Sequence, residues 1–106
     1  MRNYSNAKIY KIVGGEKTFY GSTLQPLHKR LSAHKVYMKR YDDGKNTRYC
    51  SSYEVLAEPD CGIYLVEAFA TCKNSDELNA RERYYVENNA CVNSNIPGRI
   101  EMTNKV

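Results

Sequence analysis

Residues 8–21, KIYKIVGGEKTFYG, hold two short β-like runs around a pair of glycines. Lys8 to Val13 alternates well enough to predict a strand, and Gly14-Gly15 supplies a turn signal. KTFYG then reads as the strand coming back, which makes the segment a hairpin. Outward from it the period changes. Between Thr23 and Arg40 the spacing predicts a helix, with Pro26 in the first turn, where its missing N–H costs nothing. Leu27, Leu31 and Met38 share one face of that helix.

Residues 42–48, DDGKNTR, are polar and rich in breakers, so an exposed loop is expected. SSYEVLAE, from Ser51, is ambiguous between a loop and a short serine-capped helix. IYLVEAFA at 63–70 is a continuous apolar, β-rich run, as expected of a strand covered on both faces. A second helix runs through ELNARERYYVENN, with Asn74 and Glu77 spaced as a capping box and Ser75 a rival cap. NIPGR should end the ordered chain. The order β-β-α-loop-β-α predicts an α/β class: a small sandwich with a three-stranded, mainly antiparallel sheet flanked by helices.

With 106 residues, the chain has room for one domain, 1–106, with a core over about 7–99 and a tail at 100–106. Its 42% hydrophobic and 26% charged content is ordinary for a soluble protein. No apolar run approaches the roughly 18 residues of a membrane span, and MRNYSNAKIYK lacks a signal peptide's apolar core. We therefore expect an intracellular protein, in the cytoplasm or nucleus of a host, not secreted and without a membrane partner. Cys50, Cys61, Cys72 and Cys91 are too widely spaced for a zinc site and read as reduced, packed thiols. The net charge of +4 hints at a polyanionic partner.

Three polar features interrupt this pattern. Arg30 and His34 lie four apart at the shoulder of the Leu27/Leu31/Met38 stripe, either a cationic flank or a pair addressing one anion. Glu82 sits inside the apolar face of the second helix, between Leu78 and Tyr85/Val86. A carboxylate there needs compensation, by an ion pair such as one with Arg30 or by a hard divalent cation. Arg81 and Arg83 point elsewhere and read as solvated. Tyr10 is either a core ring with its hydroxyl at the rim or a functional phenol.

Together, KIY at 8–10, FYGST at 19–23, KRLSAH at 29–34, RERYYVENN at 81–89 and CVN at 91–93 resemble the GIY-YIG nuclease domain. The likeness is closest to its short, stand-alone members from phages and large DNA viruses. Five pieces fall in the family's order with consistent gaps over roughly residues 7–99. The literal GIY at 62–64 is a decoy, because it follows the Arg30/His34 helix instead of preceding the second motif. The first motif is KIY, with Lys8 in the glycine's place.

The resemblance implies a DNA endonuclease or nickase using a single Mg2+ (or Mn2+). It would act as a homodimer or with a partner protein that supplies specificity. It implies Tyr10 as the group that orients or deprotonates the attacking water, and Arg30 on the scissile phosphate. His34 would assist proton transfer or bind phosphate, Glu82 would be the metal ligand, and Asn93 would steady the site. Gly21 takes the motif glycine, and Phe19 stands where the family has a second tyrosine. Tyr20 is adjacent but, by strand alternation, should face the other way. The missing hydroxyl leaves an alternative: a non-catalytic DNA-binding or nuclease-partner module with a degenerate site.

Overall fold

The computed structural model describes residues 3–45 and 49–93; NIPGR and the tail lie outside the described residues. The elements run β1 (Lys8–Gly14), β2 (Lys17–Thr23), α1 (Leu27–Asp42), α2 (Ser52–Leu56), β3 (Gly62–Ala68) and α3 (Ser75–Asn88). The sheet order is β2-β1-β3, with both pairings antiparallel. This is the expected α/β sandwich, with α1 and α2 on one face and α3 on the other.

The hairpin closes over Gly15 and Glu16, between the paired Gly14 and Lys17. Gly15 has φ of 59°, the left-handed value a two-residue hairpin turn requires at its first central position. Pro26 sits one residue before α1, and its carbonyl accepts from the amides of Lys29 and Arg30. Ser51 occupies the cap position of α2, but its side chain makes no capping bond there. At α3 the competition goes to Asn74, whose side chain accepts from the Glu77 amide at 2.9 Å. Glu77 returns a bond to the Lys73 amide, also at 2.9 Å. The first bond satisfies an orphan donor of the first turn, and the second ties the residue before the cap to the helix.

β1 is central and its side chains divide between two cores. Tyr10 and Ile12 join Phe19, Tyr53, Val55 and Leu56 under α1 and α2. Ile9 joins Ala7, Cys72 and Leu78 under α3. The apolar run at 63–70 differs from expectation: β3 is an edge strand, with Tyr64 and Leu65 53% and 54% exposed. Its composition suits burial, but α3 packs over β2 and β1, so β3 is covered mainly from α1's side and left half covered. Where β3 pairs with β1, the register skips Val66 between the Ile9–Glu67 and Tyr10–Leu65 pairs. That bulge shifts the strand beside Tyr10.

Arg81 and Arg83 are not simply solvated. Arg81 Nε donates to Glu67 Oε1 at 2.7 Å and its guanidinium lies over the rings of Tyr84 and Tyr85. Arg83 pairs with Glu87. The four cysteines are free thiols. No helix among the described residues is long and apolar enough to cross a membrane.

Candidate active site

Tyr10 and Gly21 are directly opposed across the β1–β2 ladder. The tip of the Tyr10 ring lies against Gly21, so that a Cβ at position 21 would overlap the ring and its hydroxyl. Only glycine lets the phenol cross β2 and reach the space under α1. There it meets the two α1 residues spaced four apart. Arg30 Nε donates to the Tyr10 hydroxyl at 3.2 Å, and that hydroxyl lies 2.7 Å from His34 Nε2. His34 is buried, not a surface flank, and its Nδ1 is 3.1 Å from Ser52 Oγ, itself fully buried.

Arginine can only donate, and a phenol has one proton. The assignment that leaves no donor idle runs one way. Arg30 donates to Tyr10, Tyr10 to His34 Nε2, and His34 Nδ1–H to Ser52. Burial pushes the Tyr10 phenol up to about 12, with the nearby Arg30 charge pulling the other way. Burial and the same charge lower His34 to about 4. At neutral pH both groups are therefore uncharged.

Glu82 reaches the same strand from the opposite side. It is buried in α3's inner face and accepts from Ser22 Oγ at 2.5 Å. Burial raises its pKa, while the Ser22 bond and the Arg30 charge act to lower it. Arg30 forms no ion pair among the described residues, so of the two compensations considered for Glu82 the Arg30 pair is absent, and a neutral hydroxyl stands beside the carboxylate. Arg30 and Glu82 nevertheless feel each other's charge. A buried carboxylate without a cationic partner among the described residues fits one hard divalent ion that keeps most of its waters. It does not fit a protein cage, because no group of three or more His, Cys, Asp or Glu comes together among the described residues.

Asn93 holds the outer edge of β2. Its side-chain oxygen accepts from the Tyr20 amide at 2.9 Å and its NH2 donates to the Tyr20 carbonyl at 2.7 Å. With the Val92 amide on the Thr18 carbonyl, it acts as a short false strand along an otherwise open edge. Asn93 thus fixes the backbone one residue from Gly21 rather than touching Tyr10 or Glu82. Phe19 shares Tyr10's core and meets the His34 ring edge-on at 5.6 Å. Tyr20 turns to the α3 side and stacks on Tyr85.

Two further residues belong to the constellation. Ser22 was legible in principle, since alternation from Tyr20 puts it on α3's side, but nothing in FYGST announces a bond to Glu82. Ser52 had no signal at all, because only tertiary packing brings α2 against α1. Comparison with family models, with curated proteins and with solved structures returns no match for the chain.

Proposed function

We propose that this protein is a GIY-YIG-type, magnesium-dependent DNA endonuclease or nickase. The observation that carries the reading is Arg30: a half-buried guanidinium without an acidic partner among the described residues, bonded through Nε to a buried phenol that is bonded in turn to a neutral imidazole. A guanidinium whose terminal nitrogens are uncommitted to any carboxylate suits an anion, and phosphate takes its fork geometry well. Phosphodiester hydrolysis needs that charge near the non-bridging oxygens and a proton acceptor near the attacking water.

In this reading Arg30 binds the scissile phosphate and Tyr10 faces the attacking water. The water's proton goes to the Tyr10 oxygen as the phenol's own proton moves to His34 Nε2. Water oxygen bonds to phosphorus, the leaving oxygen departs, and solvent protonates it. Both groups are uncharged beforehand, with the phenol near 12 and the imidazole near 4, and so weak a base holds the transferred proton only until solvent takes it. Glu82, held by Ser22, would ligate Mg2+ or Mn2+, which when bound supplies charge stabilisation to the leaving oxygen.

The test is nicking of supercoiled plasmid with Mg2+ and with chelator, for the wild type and Glu82→Ala. Metal-dependent nicking by the wild type, and none by a folded Glu82→Ala protein, is the expected outcome. Phe19, which offers no hydroxyl, favours a second reading: a module that binds DNA without cutting it. Shifted but uncut DNA under every metal condition would establish that reading instead.

A further inference from the structure

The solvent side of α1 is strongly cationic. It carries Lys29, Lys35, Lys39 and Arg40, with the half-buried Arg30 at its border, against a single acid, Asp42, and no acid in its first turn. Lys39 is partly occupied by Asp43. From Arg30, steps of three, four and three residues lead through Ala33 to Tyr37 and Arg40, one continuous stripe beside the buried face. At the helical rise, Arg40 lies about 15 Å beyond Arg30 along the axis.

Cations alone would suit any polyanion, but this stripe is interleaved with aromatic rings. Tyr37 is 51% exposed, and Tyr49, which packs edge-on against Tyr41 and Tyr53 near the same end of α1, is 50% exposed. In duplex DNA the base faces are already stacked, so exposed rings contribute little there. Unpaired bases present free faces, and rings between phosphate-binding cations are the recognised way to hold them.

We infer that the Arg30–Tyr37–Arg40 stripe is the track for a single-stranded DNA arm leaving the scissile phosphate, so that the substrate class is DNA with an unpaired strand beside the cut. Phosphates of the arm contact Arg40 and Lys29, and a base stacks on Tyr37. This rests on the nuclease reading for the position of the phosphate at Arg30, but binding can be measured without cleavage.

The experiment is fluorescence anisotropy in chelator, with a labelled duplex and the same duplex bearing a single-stranded arm. Wild type should prefer the armed DNA. Tyr37→Ala should weaken armed DNA about tenfold, in the range of one lost base–ring stack, and leave blunt duplex within about twofold. Tyr37→Phe should restore binding, because the ring and not the hydroxyl is used. Arg40→Ala should reduce the salt dependence for armed DNA by about 0.7 in the log–log slope, one phosphate contact on a single strand. Tyr64→Ala, removing an equally exposed ring on the edge strand, should change nothing. Equal loss on both DNAs, or none on either, overturns the track. A protein that binds armed DNA in this Tyr37-dependent way yet never nicks sinks the nuclease reading and leaves the track standing. A protein that nicks without arm preference does the reverse.

Discussion

The dipeptide Ile-Tyr occurs at 9–10 in β1 and again at 63–64 in β3, and the two copies end up as neighbours in one sheet. Tyr10 is 1% exposed and bonded to Arg30 and His34; Tyr64 is 53% exposed. Each ring leans over a glycine. Tyr10 covers Gly21 on the neighbouring strand, whereas Tyr64 covers Gly62, two residues back on its own strand. Tyr10 stands on the central strand, on the face that α1 covers, and its partner has no side chain to stop it. Tyr64 stands on the edge strand, opposite Lys11, on the other face. Whether a tyrosine is buried and hydrogen-bonded depends on what lies over and across from it, and the tripeptide around it contributes little.

The largest difference should appear on removing each hydroxyl. Tyr10→Phe is expected to lower nicking at least ~100-fold, since both a proton path and a phosphate-side group are lost. It should also cost ~1–3 kcal/mol of stability, because Arg30 Nε and His34 Nε2 lose a buried partner. Tyr64→Phe should leave both nicking and thermal melting unchanged. Equal sensitivity at the two positions would break the distinction.

A pH effect of similar size belongs to the Tyr10 side alone. His34 is held near 4, below its ordinary 6.5. Between those values the unfolded chain binds a proton that the folded one does not. Stability therefore falls as pH is lowered through that window, by up to ~3 kcal/mol. Glu82 works in the opposite direction just above its ordinary 4.5, because its raised pKa makes the folded state hold a proton longer. Urea melts of the wild type and His34→Gln across that window, from about pH 4 to about 7, separate the two. The variant should lose the downward trend.

The glycines give a smaller contrast. At Gly21 a methyl would drive into the Tyr10 ring, which is locked by two hydrogen bonds, so Gly21→Ala should cost ~1–3 kcal/mol and most of the nicking activity. At Gly62 the nearest atom is the Tyr64 hydroxyl, 3.0 Å away on an exposed ring that can swing aside. Gly62→Ala should change the melting midpoint within ~0.5 kcal/mol. Chemical melts of the two variants decide it.

The smallest effect concerns Phe19. Its ring meets His34 on the Tyr10 side, so Phe19→Tyr adds a hydroxyl to the right face and should speed nicking about tenfold, one charge-assisted hydrogen bond at the low end of its range. Tyr20→Phe should leave the rate unchanged, since Tyr20 packs on Tyr85. A silent Phe19→Tyr with an inactive Tyr20→Phe would place the wrong one of the two neighbours at the site.

Period and punctuation made much of the molecule legible beforehand. The alternation at 8–13, the glycine pair, the Leu27/Leu31/Met38 stripe and the Asn74/Glu77 cap are local signals, and each is fixed by forces acting within a few residues. Arg30, His34 and Glu82 also stood out locally, as polar groups where apolar ones were due. Three things were decided only by the assembled structure. β3 reads like a buried strand because apolar content reports an appetite for burial, not a place in the sheet, and the edge position went to it once β1 took the centre. Glu82 found a serine instead of Arg30 because α1 and α3 lie on opposite faces, so the guanidinium acts through space while Ser22 points directly at the carboxylate. Ser52 holds His34 because α2 docks on α1, a long-range contact no window of sequence contains. Local chemistry chose the candidates; the stacking order of strands and helices chose their partners.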